Sequence, residues 1–157
     1  MATGSIAYAQ SDINACWRFE DAKDYKKAID CLKKNLEIYE KHGDYENAAT
    51  TKIDIGDIYR KMKDFKNAEK YLFEGLEGFK KLEDKGNSGD IMGIKEEEAN
   101  AYWYIGRLYK DKGDKNTARK YYERASDIFD SIGQDRASVE IWKDWNWKEL
   151  KKSGKSK

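Results

Sequence analysis

The sequence predicts an all-α, right-handed α-solenoid, with three helical hairpins stacked in a row and sealed by a C-terminal capping helix, seven helices in all. Three observations predict it. The 157-residue chain contains no proline, the residue that most often breaks or kinks a helix. Charged residues make up 39% and aromatic residues 13%, with Lys+Arg at 31 against Asp+Glu at 30, so the charge is mixed and the aromatics suffice for a folded, surface-rich protein. Finally, ACWRFEDAKDYKKAIDCL, IGDIYRKMKDFKNAEKYL and IGRLYKDKGDKNTARKYY line up without a gap.

Each copy carries a small residue (Cys16, Gly56, Gly106), an aromatic three positions later (Phe19, Tyr59, Tyr109), an aspartate (Asp24, Asp64, Asp114), and an alanine four beyond it (Ala28, Ala68, Ala118). The order describes a helical hairpin. Apolar residues such as Ile55 and Tyr59 recur at helical spacing and form one stripe of the first helix. The small residue lets a neighbouring helix come close. The aspartate stands where an N-cap accepts hydrogen bonds from the free amides of the next helix. The alanine keeps the pair tight, and Leu32, Leu72 and Tyr122 fill the contact. Helices are predicted near 6–21, 25–41, 45–62, 65–83, 93–112, 115–131 and 135–151, with Asp135 as cap of the seventh.

This pattern resembles the tetratricopeptide repeat family, through its W/Y-x-x-[small/apolar]-G-x-x-Y order and later alanine, over residues 9–131. The resemblance implies one domain over residues 1–152, with repeats near 9–42, 49–83 and 99–131, a capping helix over 135–151, and a disordered basic tail at 153–157. The first repeat departs from the pattern, with Cys16 for glycine and Asp12 where a bulky residue is usual. Small residues of successive units lie 40 and 50 positions apart, against a family period of about 34. The extra residues resemble the longer-unit variety of kinesin light chains. The first link, EKHGDYENAA, has a turn signal at Gly43-Asp44. The second, EDKGNSGDIMGIKEE, holds Gly86, Gly89 and Gly93, and reads as a mobile loop or broken helix end. Residues 28–60 also resemble a stretch of the soluble attachment proteins that link SNARE complexes to an ATPase, which implies a protein-complex adaptor.

Catalytic chemistry finds no support. His42 is the only histidine and falls in a turn, which excludes paired-histidine metal sites. GNSGDIMGIK lacks the residue order that cradles phosphate. The acidic run Glu96-Glu97-Glu98 lies early in a helix, where negative charge suits the dipole. No cofactor and no metal are implied. The near-zero charge balance argues against a nucleic-acid binder, and no stretch approaches the ~18 apolar residues of a membrane span. Cys16 and Cys31 make no disulfide framework and read as free, partly buried thiols of a reducing cytosol. The expected localisation is cytoplasmic.

Binding is the better expectation. In a solenoid of this family the first helices line the concave side. The positions that should face it are Ile13, Trp17 and Glu20, then Ile53, Asp57 and Arg60, then Trp103, Arg107 and Lys110, with Thr50 and Asn100 at the rim. Apolar anchors beside Arg60, Arg107 and Lys110 suit a protein or peptide partner with apolar and acidic residues. The family's chaperone-tail clamp is not implied, because Ile13, Trp17, Asp54, Asn100 and Tyr104 occupy its matching positions. The competing expectation is a self-associating structural module, with a homodimer in place of the partner.

The segment WKDWNWKEL (residues 142–150) reads as a lid. On a helix Val139, Ile141, Trp142, Trp145 and Leu150 share about half the circumference, enough to seal the last hairpin. Trp147 falls at or beyond the edge of that stripe and marks a possible second surface beside the lysine-rich tail.

Overall fold

In the computed structural model the described residues are 13–85 and 90–152, with the backbone alone over 146–152. They form α1 (residues 13–21), α2 (Tyr25–Lys41), α3 (Tyr45–Lys61), α4 (Phe65–Lys85), α5 (Ile91–Asp111), α6 (Lys115–Ser131) and α7 (Asp135–Lys152). No strand occurs among the described residues. The chain divides into two compact units, Met1–Gly78 and Phe79–Lys157.

One turn design recurs five times. At the end of α1 the amide of Lys23 donates to the Glu20 carbonyl and that of Asp24 to the Phe19 carbonyl, 2.8 Å each. The same two bonds close α2, α3, α5 and α6, and satisfy carbonyls that a helix end would otherwise leave open. The closure needs a left-handed residue before the next helix: Lys23, Gly43, Lys63, Gly113 and Gly133 all have positive φ, from 59 to 84°. In four of these turns the next residue is an aspartate that also caps the following helix. Asp24, Asp44, Asp64 and Asp114 accept from the amides of Lys27, Asn47, Asn67 and Thr117 at 3.1–3.3 Å. One residue thus ends one helix and starts the next, which keeps the hairpins short.

The starts of the last helix and of the fifth are built differently from expectation. Gln134, not Asp135, precedes α7; Asp135 is its first helical residue, where its charge suits the dipole. Gly93, counted in the second link and also as the start of the predicted fifth helix, is helical: Asp90 accepts from its amide at 2.8 Å, and α5 begins two residues earlier, at Ile91. Residues 86–89 lie outside the described residues, as do the start of the predicted first helix and the predicted tail.

In the first unit Cys16, Ala28, Ile29, Leu32, Leu36, Tyr39, Ala48, Ile55 and Ile58 form one buried cluster. The helices cross where side chains are missing. A Cβ on Gly56 would lie 2.7 Å from Leu72 Cγ, and one on Gly75 would lie 2.6 Å from Ile53 Cδ1. In the second unit a Cβ on Gly106 would lie 2.6 Å from the Tyr122 ring, whose side chain is fully buried. Ala28, Ala68 and Ala118 are all completely buried.

The cysteine expectation is corrected. Cys16 of α1 and Cys31 of α2 form a disulfide, with Cα atoms 5.4 Å apart. Counting cysteines missed it because only the hairpin brings two residues 15 positions apart within bonding range. Free thiols therefore cannot argue for a reducing compartment. No described helix is long and apolar enough to cross a membrane.

At the C-terminal end α7 packs on α6. Ile141 and Trp145 are buried, and the Trp145 ring meets Tyr122 edge-on at 5.1 Å. Trp142 Nε1 donates to Ser126 Oγ at 3.0 Å. Val139 does not join the seal, being 53% exposed. The buried stripe runs through Ser138, Ile141 and Trp145, so Ser138 takes the facing position and hydrogen-bonds Ser126 at 2.5 Å.

Replacing Gly106 by alanine tests the crossing. Overpacking against a fixed ring costs about 1–3 kcal/mol, which outweighs the ~1 kcal/mol helix-propensity gain. Urea denaturation of Gly106→Ala should show a net loss of about 1 kcal/mol.

Candidate functional site

In the first unit, four charged side chains join α1 to α3. Arg60 Nε donates to Asp57 Oδ1 at 2.7 Å. Lys61 Nζ lies 2.9 Å from Asp57 Oδ2 and 2.5 Å from Glu20 Oε1. Burial opposes the Lys61 ammonium, but the bonds it donates to Glu20 and Asp57 outweigh this and hold its pKa above the ordinary lysine value. Asp57 and Arg60 are only 6% and 8% exposed. Arg60 is therefore a paired, interior cation. Ile53 is also buried, against α4 at Gly75. Ile13 packs partly on the core cluster. Trp17 and Thr50 remain half-buried.

In the second unit the candidates Trp103, Arg107 and Lys110 follow one another at helical spacing on α5 and converge on one residue of α7. Trp103 Nε1 donates to Asp144 Oδ2 at 3.0 Å, and the Tyr122 hydroxyl donates to the same oxygen at 2.5 Å. Arg107 Nε stands 3.6 Å from Oδ2, and Lys110 Nζ stands 4.0 Å from Oδ1 while also donating to the Asp144 carbonyl. The Arg107 guanidinium also lies over the Trp103 and Tyr104 rings, at 5.8 and 5.9 Å. Burial of the Asp144 carboxylate works against its charge, but the two hydrogen bonds and the two cations overcome this and lower its pKa. Tyr122 moves the opposite way: burial, then the bond to Asp144, push its pKa far above the usual tyrosine range. Asn100, one turn before Trp103, is half-buried. The side chain of Trp147 lies outside the described residues.

Sequence reasoning placed Trp103, Arg107 and Lys110 on one face and missed what holds them. Asp144 sits between Trp142 and Trp145, and on a docked helix that neighbourhood was the available signal. A second feature also escaped notice. The end of α4, with α5 and α6, surrounds a polar cavity of about 230 Å³ lined by Glu83, Lys95, Glu98, Arg124, Asp127, Ile128 and Ser131. Glu98 is 5% exposed, and burial together with the charge and hydrogen bond of Glu83 raises its pKa. His42 is exposed in the α2–α3 turn. No cluster of metal-ligating side chains occurs among the described residues.

Two family models, both described as tetratricopeptide repeat, match residues 19–81 and 99–131. The chain belongs to the tetratricopeptide repeat family. Proteins built of such repeats are typically non-catalytic scaffolds, and membership points to protein–protein interaction. No curated protein matches the chain. Among solved structures it is similar to BtubC (BKLC) from P. vanneervenii, at 18% identity and a TM-score of 0.43. That match covers 80% of this chain and 64% of the other, so the chain spans under two thirds of that protein's length.

Two substitutions probe these carboxylates. Because the folded state lowers the Asp144 pKa, its contribution is complete above the unfolded value of about 3.9 and is lost as pH falls through the folded one. Asp144→Asn should lower stability near pH 7 by about 1–2 kcal/mol, and thermal melts should show the gap to the parent closing below pH ~4. Glu98 has the opposite sign. Its raised pKa means stability is lost as pH rises from about 4.3 through the folded value. Glu98→Gln should therefore melt higher than the parent near pH 7, with the difference vanishing in acid.

Proposed function

We propose that the chain is a non-catalytic adaptor that holds a segment of a partner protein bearing acidic and apolar residues on the first-helix faces of its units. The observation that carries this reading is the convergence of Trp103, Arg107, Lys110 and Tyr122 on Asp144. It supports a surface whose chemistry favours a carboxylate beside an aromatic ring, since Asp144 is followed by the buried Trp145. Interfaces commonly centre on such aromatic and arginine groups. The half-buried residues Trp17 and Thr50 in one unit, and Asn100, Trp103 and Lys110 in the other, are the proposed contacts. Ile53, Asp57 and Arg60 are interior residues of the first unit and fix the helix that presents Thr50.

The obvious variant, Trp103→Ala with Arg107→Ala, would also remove the support of Asp144, so lost binding could follow from an unseated α7. Site-specific photo-crosslinking avoids that ambiguity. A photoreactive residue at Thr50 or Asn100, in the full chain mixed with lysate of the source cells, should capture a defined protein. The same probe at Lys66 or Lys120, exposed on α4 and α6, should not. Equal capture at all four positions, or none at Thr50 and Asn100, rejects the proposed surface.

A further inference from the structure

The disulfide of the first hairpin is strongly asymmetric. Cys16 is completely buried, whereas Cys31 is half-buried. Cys31 forms part of the wall of a cavity of about 360 Å³, together with Phe19, Lys27, Asp30, Lys34 and Asn35. Asn35 is 1% exposed, and its Nδ2 donates to Cys16 Sγ at 3.5 Å. Access therefore exists to one sulfur, while the other carries an N–H donor.

Thiol–disulfide exchange depends on which sulfur can be reached and on how well the other leaves as a thiolate. Both factors point the same way here. We propose that the Cys16–Cys31 disulfide is a modification site for a low-molecular-weight thiol, which enters the cavity and attacks Cys31 while Cys16 leaves. The incoming thiolate forms a new S–S bond to Cys31 Sγ. The old S–S bond breaks, its electron pair goes to Cys16 Sγ, and the Asn35 amide stabilises the anion until it takes a proton from water. One disulfide is formed for each one broken, so no further oxidant or reductant is needed. The cavity rim carries both signs, with Lys27 and Lys34 beside Asp30 and Lys27 also paired to Asp24 at 3.1 Å. Selection is therefore by size and access rather than charge.

Exchange removes the side-chain cross-link between α1 and α2. Because α1 bears Ile13 and Trp17, the redox state would adjust the partner surface of the first unit. That consequence rests on the proposed adaptor function, whereas the exchange chemistry does not.

The test uses the oxidised full chain in native buffer. It is treated with 2-mercaptoethanol or, separately, reduced glutathione, trapped with iodoacetamide and mapped by peptide mass spectrometry. The expected product carries the thiol adduct on Cys31 and the alkyl group on Cys16, in about tenfold excess over the reverse arrangement, with both thiols. In urea the two arrangements should become equal. Adduct mainly on Cys16, equal partition in native buffer, or cleavage only after unfolding overturns the proposal. Asn35→Ala should slow the native exchange several-fold without changing the rate in urea; equal native rates remove Asn35 from the mechanism.

Discussion

Where two helices of this chain cross, one side chain must be absent or nearly so. At Gly56 the space belongs to Leu72, and at Gly106 it belongs to the Tyr122 ring. Any added carbon would enter the repulsive range of its neighbour, and close-packed interiors have little slack with which to absorb it. The rest of each hairpin follows from that approach. A close crossing buries Ala68 and Ala118 completely, and it fixes the helix phase that turns Ile55 and Ile105 inward. The first hairpin reaches the same end differently. Cys16 occupies the small-residue position, and a covalent bond to Cys31 holds the two helices together.

The Gly106 crossing also sets up the second unit's polar site. Because glycine admits the Tyr122 ring, that ring can lie buried with its edge against Trp145 and its hydroxyl directed at Asp144. Even a half-buried carboxylate is destabilising without partners. Here it has two donors on one oxygen and two cations nearby, enough to keep it ionised. The aromatic and basic residues proposed to meet a partner thus also serve an internal helix. The preferences that would select a partner, a carboxylate next to an aromatic, are the same ones that seat α7.

Legibility varied with the range of the interaction. The alignment of three units announced the helices, the capping aspartates and the inward alanines, because each depends on residues within a turn or two of one another. The dual role of Asp24, Asp64 and Asp114 was half visible, since capping is local but the closing of the previous helix requires the turn conformation. Among candidate site residues, helical phase grouped Trp103 with Arg107 and Lys110. It could not tell that Arg60 turns inward to Asp57, because at a spacing of three a charged pair can lie buried or exposed with the same sequence. Val139 shows the limit on the apolar side. Its phase fell within the stripe, yet Ser138 took the buried position because a hydroxyl on α6, Ser126, was waiting for it.

By itself the sequence determined the helical class, the repeat, the turn positions and the need for a terminal seal. All of these follow from short-range periodicity and from what glycine, alanine and aspartate can do in a helix. Only the tertiary structure decided the chemistry between distant residues. It paired Cys16 with Cys31, gathered four donors and cations around Asp144, and buried Glu98 beside Glu83. The physical reason is that electrostatic and covalent partnerships depend on separations of a few ångströms between atoms far apart in the chain. A pattern of residue types specifies which face a side chain occupies, but not which partner meets it there.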